Sequence, residues 1–260
     1  MKKNLFSMLV ISVLALAFVG CANPAGGNTG GSSYSAKYAV GDIILNDGSK
    51  VNYETAKNYT DSDLDGLKSK AIAVIFRADT ASKKALGVGL KHNRSGLAWC
   101  TSDAKAYNKN IETIQCPASG DAGNLTFTGD THGSDNLEQI ASFLTTEGLA
   151  DDTTDPSKYP AFYFAKNYKT TATNLGAAYE NGWYLPTVAE LFDIWKVKST
   201  VDAASSLCGG SQFGNSYYWS LSQSASFDYS AYRLFFSYGD WLSNSKGSDY
   251  DYVCAVRAFN

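Results

Sequence analysis

The stretch "YYWSLSQSASFDYSAYRLFFSYGDWLSNSKGSDYDYVCAVRAF", Tyr217 to Phe259, combines many aromatic residues with many small polar ones. From Tyr217 to Tyr252 it holds seven Tyr and nine Ser, and it is poor in aliphatic residues. A core strand prefers Val and Ile, whereas a disordered tail avoids aromatic residues. Tyr and Trp provide large rigid contacts, and Ser, Gly and Asn adapt their hydrogen bonds, so this composition favours a binding surface.

Three segments of this stretch are strand candidates, "YYWSLS", "AYRLFFS" and "YVCAVRAF". They are separated by the polar segments "QSASFDYS" and "YGDWLSNSKGSDYD", which we interpret as loops. Loops of this length in a folded domain are usually functional or disordered.

The segment before this stretch is predicted to be helical. In "GWYLPTVAELFDIW", Thr187 precedes Glu190 by three residues, which is the capping-box spacing at a helix start. Further helices are predicted in "SDNLEQIASFLTTEG" (134–148), where apolar residues recur at helical spacing, in "YPAFYFAKNYK" and in "STVDAASSLCGG".

The first half of the domain is predicted to consist mainly of strands. "AVGDIILNDGSKVNY" predicts a hairpin with Asp47-Gly48 at its turn, and "AIAVIFRA" (71–78) predicts a buried strand. "KALGVGLKHNRSGLAWCTS" predicts a second hairpin that turns around residues 93–96. Strands, then helices, then strands in separate blocks indicate the α+β class.

The amino terminus has the pattern of an export signal. Lys2 and Lys3 precede a 16-residue apolar run from Leu5 to Gly20, which is shorter than the ~20 residues that a membrane-spanning helix needs. "FVGC" resembles a bacterial lipobox, so we expect residues 1–20 to be a lipoprotein signal peptide and Cys21 to be lipidated. An ordinary signal peptide with an incidental Cys is the alternative. Residues 21–36 form a Gly/Ser-rich linker with a span of roughly 20 Å.

Residues 37–260 are predicted to be one domain, held at the cell envelope and most simply at the outer membrane surface through Cys21. The formal net charge of −3 becomes −5 without the two signal-peptide lysines, and no basic stripe indicates a nucleic-acid partner. An even number of cysteines remains in this exported chain, which suggests two disulfides. The favoured disulfides join cysteines that are neighbours in the sequence, namely Cys100–Cys116 and Cys208–Cys254. The alternative is that these thiols are free and buried.

The segments "GWYLPTVAELFDIW", "YYWSLSQ", "YRLFFSYG" and "YVCAVRAF" together resemble a known family. They are similar to the C-type-lectin-fold branch that contains formylglycine-generating enzymes and their catalytically silent relatives. Within it, they most resemble the treponemal variable lipoproteins that diversity-generating retroelements diversify. The resemblance implies a C-type lectin-like fold with antiparallel strands and two main helices. It also implies a variable region at about 217–259 that binds a protein or glycan ligand.

The resemblance separates a fixed frame from displayed positions. The implied frame is Tyr218, Trp219, Ser220, Ser222, Gln223, Ala231, Leu234, Phe236, Gly239, Val253, Cys254, Val256 and Arg257. The ligand-binding positions that we favour are Asp228, Tyr229, Tyr232, Arg233, Tyr238, Asp240, Trp241 and Ser243. Because side chains alternate along a strand, some of these aromatic residues are expected to be buried instead.

Sequence motifs for catalysis or metal binding are weak. The two closely spaced cysteines of formylglycine-generating enzymes are missing, since Cys208 and Cys254 are far apart, and the chain has only two histidines. "DSDLDG" (61–66) opens like a calcium loop, but Ile72 stands where such a loop has Glu. We therefore expect no catalytic residues, no metal and no cofactor.

The favoured hypothesis is a monomeric, lipid-anchored surface receptor or adhesin without enzymatic activity. One alternative is an envelope enzyme of the same fold. Another is a structural lipoprotein whose aromatic end packs against a partner subunit.

Overall fold

The computed structural model describes residues 34–260, so the predictions for the signal peptide, Cys21 and most of the linker lie outside the described residues. The described part belongs to the α+β class, with every strand pair antiparallel, as predicted. Its strands are β1 (Asp42–Leu45), β2 (Lys50–Asn52), β3 (Ala71–Arg77), β4 (Ala85–Gly89), β5 (Ala118–Asp121), β6 (Asn124–Phe127), β7 (Trp183–Tyr184), β8 (Tyr217–Gln223), β9 (Ser230–Phe235), β10 (Asp240–Ser245) and β11 (Val256–Phe259). Its α-helices are α1 (Tyr53–Ala56), α2 (Asp61–Lys70), α3 (Asn136–Thr146), α4 (Pro160–Lys166), α5 (Val188–Lys196) and α6 (Lys198–Leu207).

The larger sheet has the strand order β2-β1-β3-β4-β11-β7. Its β1–β2 hairpin turns at Asp47-Gly48 as predicted, and Gly48 takes a positive φ of 88° that suits glycine. The predicted buried strand is β3, in which all residues except Arg77 are buried. The last strand, β11, pairs with both β4 and β7, so it is an inner strand of this sheet.

The predicted helices are α3, α4, α5 and α6, and α5 begins at the predicted place. The Thr187 side chain accepts a hydrogen bond from the Glu190 amide, and the Glu190 carboxylate accepts one from the Thr187 amide. The expectation of two main helices was too low, because residues 34–260 contain six α-helices. Helix α2 includes "DSDLDG", and its capping box with Thr60 holds Asp63, so this segment is not a calcium loop.

The smaller sheet has the strand order β10-β9-β8, and all three of its strands come from the predicted variable region. Strands β8 and β9 were predicted, whereas β10 lies in a segment that was interpreted as a loop. The β9–β10 turn contains Gly239, with a φ of 64°. A Cβ atom there would lie 2.5 Å from the Trp195 ring of α5, so only glycine fits this close approach.

The predicted hairpin around residues 93–96 is wrong. Strand β4 forms, but the residues after it run alongside the end of the chain: Asn93 bridges Val253, and the Leu97 amide donates to the Asp251 carbonyl. Gly96, with a φ of 86°, permits this packing, because a Cβ atom there would lie 2.0 Å from the Asp249 carbonyl oxygen.

The predicted disulfides are also wrong, because all four cysteines of the described residues are free and buried. Cys100 packs in one apolar cluster, with Trp99, and Cys116 in another, with Phe192. Burial raises the pKa of Cys100, Cys116 and Cys208 to about 12, which keeps these thiols protonated and unreactive. In residues 34–260, none of the helices is both long and apolar enough to cross a membrane.

Candidate ligand-binding face

The β9–β10 register decides which predicted side chains share a face. Residues that pair directly across an antiparallel sheet point to the same side. Trp241 pairs with Leu234 and Ser243 pairs with Tyr232, whereas Leu242 pairs with Arg233 on the opposite side. The predicted positions are therefore divided between the two faces of this hairpin.

Tyr232 is a correction to the predicted ligand-binding set, because it is only 3% exposed. Its ring packs edge-on against Trp241 at 4.7 Å, and its hydroxyl accepts a hydrogen bond from the Ala225 amide at 3.0 Å. Leu234 and Phe236 pack in the same core, so the Tyr232 ring is part of the interior of this hairpin and not of its open face.

Arg233 is largely committed to contacts within the protein. Its Nη1 lies 2.8 Å from Oδ1 of the buried Asp251, and its guanidinium lies 3.9 Å above the Tyr217 ring. Tyr217 in turn stacks on Phe235 at 4.6 Å. This cation–π and ion-pair arrangement joins β8 and β9 to the final segment of the chain.

The remaining predicted residues lie at two ends of the sheet. Asp228 and Tyr229 are exposed in the β8–β9 connection, and Tyr238 is exposed in the β9–β10 turn at the other end of β9. A six-residue strand separates the two ends by roughly 17 Å. The exposed Ser243 and the half-buried Asp240 and Trp241 lie along β10. The predicted set therefore does not form one continuous site.

A shallow groove of about 760 Å³ lies beside the β8–β9 end of the sheet. One wall is the connection that follows β10, and the other is formed by residues 96–107 together with the start of α4. Tyr107 links the two walls, because its hydroxyl lies 3.0 Å from the Ser245 hydroxyl. The groove is lined by Gly96, Leu97, Ala98, Thr101, Ser102, Tyr107, Pro160, Ser245, Gly247, Ser248, Asp249 and Tyr250.

Three exposed aromatic side chains stand at this end of the molecule. Tyr250 is 83% exposed in the groove wall, and Phe227 and Tyr229 form an exposed pair with ring centroids 5.6 Å apart. The Lys246 amide donates to the Tyr229 carbonyl, which brings that pair next to the groove wall. Exposed aromatics among Ser, Asp and Gly residues provide rigid anchors with adaptable polar neighbours.

The groove wall is held by a fully buried lysine, Lys246. Its ammonium donates to the carbonyl oxygens of Ala106, Lys109 and Asp228, at 2.8, 3.2 and 2.6 Å, and lies 5.0 Å from the Trp99 ring centre. Burial lowers the pKa of Lys246 to about 8. One side chain thus joins the loop beside Tyr107 to the β8–β9 connection and to the segment that follows β10, so the groove is preorganised.

Sequence reasoning missed Lys246, Tyr107 and Tyr250. Tyr250 has a visible signal, because it stands in the polar run "KGSDYD" after a glycine. Tyr107 is brought to the groove by tertiary packing alone. Lys246 reads as a solvated residue in the sequence, since lysine is almost never fully buried.

Glu190 and His92 are strongly shifted titratable groups outside the groove, and both have structural partners. Glu190 is 1% exposed, and burial raises its pKa to about 7, while its carboxylate caps α5 and accepts a hydrogen bond from the Tyr184 hydroxyl. Burial lowers the pKa of His92 to about 3, and its ring packs on Phe213 and Tyr218. In residues 34–260, no group of three or more His, Cys, Asp or Glu side chains is arranged to hold a metal ion.

Comparison with known proteins gives a likeness in fold alone. No protein-family model matches the chain, and no curated protein matches it significantly. Among solved structures, a fimbrial protein from Bacteroides ovatus ATCC 8483 is similar, with a TM-score of 0.53 and 12% sequence identity. The match covers 85% of this chain and 49% of that chain, so this chain spans about half the length of the fimbrial protein.

Proposed function

We propose that this protein is a lipid-anchored envelope receptor that binds a protein or glycan ligand in the groove beside its carboxyl-terminal sheet. The observation that carries the proposal is the division of the segment 217–259. All the frame positions named from the sequence are buried except Arg257, which is half-buried. Tyr229, Ser248, Asp249 and Tyr250 in turn lie at or beside the groove.

The energy of such binding would come from aromatic anchors and needs no bond chemistry. Loss of a central Tyr or Trp anchor typically costs ~2 kcal/mol or more of binding free energy. Tyr250 and Tyr229 are exposed, so their rings contribute little to the core and remain available for a partner. The Lys246 contacts hold the wall in place, which lowers the entropy that binding would otherwise lose.

The test uses the full-length chain purified in detergent and an array of printed glycans and short peptides. We expect saturable binding to a subset of probes, and we expect Tyr229→Ala with Tyr250→Ala to weaken it by tenfold or more without changing the melting temperature. Tyr238→Ala is the matched control, because this tyrosine is 69% exposed but lies at the other end of the sheet. Absence of any saturable probe, or equal binding by the double variant, would refute the proposal.

The C-type lectin-like scaffold and the diversification by a retroelement are finer parts of the same proposal. They rest on the frame segments described above and on the burial of the side chains in that frame. The genomic test is a downstream near-copy of the DNA that codes for residues 217–259, differing almost only at adenines and lying beside a reverse-transcriptase gene. If isolates carry no such repeat and no variation, diversification is wrong, although the groove proposal is unaffected.

The lipid anchor is tested by mass spectrometry of the mature amino terminus. We expect it to begin at an acylated Cys21, and we expect Cys21→Ser to leave the apolar run attached. A mature protein that begins at another residue, without lipid, would exclude the anchor.

A further inference from the structure

A second cavity lies apart from the groove and shares no lining residue with it. This cleft has a volume of about 280 Å³ and lies between the first turn of α3, the helix α4 and the strand β7. An apolar cavity of ~150 Å³ is large enough for a benzene molecule. The cleft therefore has room for one aromatic ring that carries a short polar chain.

The inner surface of the cleft is apolar and firmly packed. Phe162, Trp183, Leu185 and Leu221 line it, and each of them is at most 5% exposed. Trp183 is held by its indole nitrogen, which donates to the Tyr179 carbonyl at 2.7 Å. A floor of fixed aromatic and aliphatic side chains suits an aromatic ring better than a polar group.

The rim of the cleft carries one exposed group of each charge, Glu138 from α3 and Lys166 from α4. The amino terminus of α3 adds backbone donors, because its cap residue Asp135 makes no side-chain capping bond. Uncapped amides and the helix dipole favour a carboxylate there, as does Lys166, whereas Glu138 favours an ammonium group.

The wall contributes one unsatisfied acceptor. Asn136 is 1% exposed, and its Nδ2 donates to the Asp130 carboxylate at 2.9 Å, which fixes the orientation of the amide. Its buried Oδ1 has no hydrogen-bond partner among the described residues, and Asn136 is one of the residues that line the cleft. Since a buried unpaired acceptor is costly, a ligand donor that reached it after a small shift of the wall would stabilise this region.

From the ring-sized apolar floor and the opposite charges on the rim, we propose that the cleft binds a free aromatic α-amino acid. Its ring lies on Phe162 and Trp183. Its ammonium group faces Glu138 on α3, and its carboxylate faces Lys166 on α4. This site is separate from the groove, so either can be wrong without the other.

Isothermal titration of the full-length protein with L-phenylalanine tests the proposal, with phenethylamine and 3-phenylpropionate as analogues that each lack one charge. We expect L-phenylalanine to bind with a Kd below about 1 mM and each analogue to bind at least fivefold more weakly. Glu138→Gln should weaken L-phenylalanine and phenethylamine about fivefold but leave 3-phenylpropionate unchanged. Lys166→Met should weaken L-phenylalanine and 3-phenylpropionate but leave phenethylamine unchanged.

Both variants alter exposed side chains, so folding should be preserved. Glu147→Gln is the matched control, because Glu147 is exposed at the other end of α3, roughly 14 Å along the helix axis. No saturable binding of L-phenylalanine up to about 10 mM would overturn the proposal. It would also be overturned if all three compounds bound equally, or if Glu147→Gln weakened binding as much as Glu138→Gln.

Discussion

Replacing Lys246 by methionine tests whether this buried ammonium organises the groove. Methionine keeps the unbranched stem but removes the donors, so three carbonyl oxygens lose their partner. Each unpaired buried acceptor costs ~1–3 kcal/mol. Against this, the drop in pKa of Lys246 from 10.5 to about 8 shows that burying the charge already costs about 3 kcal/mol. If each of the three carbonyl oxygens costs about 2 kcal/mol, their loss outweighs the relief of the buried charge by about 3 kcal/mol. We therefore predict that Lys246→Met lowers the free energy of unfolding by about 3 kcal/mol at pH 7.

The same variant has a signature in its pH dependence. Below pH 8 the amine is protonated in both states. Between pH 8 and 10.5 the Lys246 amine keeps its proton in the unfolded chain but has released it in the folded chain. The free energy of unfolding of the wild type therefore rises with pH in this range. The stability gap between the wild type and Lys246→Met should therefore widen by about 2 kcal/mol from pH 8 to pH 10.

Urea unfolding followed by tryptophan fluorescence measures both effects, and hydrogen exchange locates them. We expect faster exchange at residues 104–109 and 224–229, because their contact with the lysine is lost. Lys105→Met is the control, since Lys105 is exposed in the same loop. A variant that stays within about 0.5 kcal/mol of the wild type, with unchanged exchange, would refute the organising role of Lys246.

Three further predictions follow from buried or strained groups. Because burial raises the pKa of Glu190 from 4.5 to about 7, the wild type loses stability as pH rises through that window. Glu190→Gln can keep the helix cap but does not titrate, so its free energy of unfolding should rise by about 2 kcal/mol relative to the wild type between pH 5 and pH 8. Urea unfolding measures this, and a stability difference that does not change with pH would contradict it. Gly239→Ala should lower stability by at least ~1 kcal/mol more than Gly209→Ala, because both glycines have a φ of 64° but only Gly239 lies against Trp195. Equal melting temperatures of the two variants would show that the Trp195 contact is unimportant. Alkylation in the absence of reductant, followed by mass spectrometry, should modify Cys100, Cys116, Cys208 and Cys254 only after the protein is unfolded. A disulfide-linked peptide would contradict their free state.

The parts of the fold that local chemistry decides were predictable. Thr187 and Glu190 lie three residues apart, so one turn of helix is enough to bring their capping bonds together. The Asp47-Gly48 turn is equally local. In contrast, Asn93 pairs with Val253 from the other end of the chain, and nothing near Asn93 in the sequence indicates that partner. The hairpin predicted there failed because a distant segment takes its place.

Strand β10 was missed because its sequence, "DWLSNS", lacks the alternation of a half-buried strand. Its residues are half-buried or exposed, and its position depends on pairing with β9 across the turn at Gly239. The candidate site failed in part for a related reason. Tyr232 and Tyr238 look alike in the sequence, yet the strand direction buries the first and the turn exposes the second. Residue type predicted the kind of surface, whereas the register decided which residues form it.

Some polar residues of the carboxyl-terminal segment hold its strands together, and others line the groove. Asp251 is 2% exposed and binds both Arg233 and Asn244, at 2.8 and 3.0 Å, so it fixes β9 and β10 against the segment that precedes β11. Removing this carboxylate would leave the half-buried Arg233 guanidinium without its ion pair, which is costly. Ser248 and Asp249 instead line the groove with no such tie to the core. If the segment varies between relatives, the tolerated changes must therefore fall on the groove wall and spare Asp251 and Lys246, although all four residues are equally polar in the sequence.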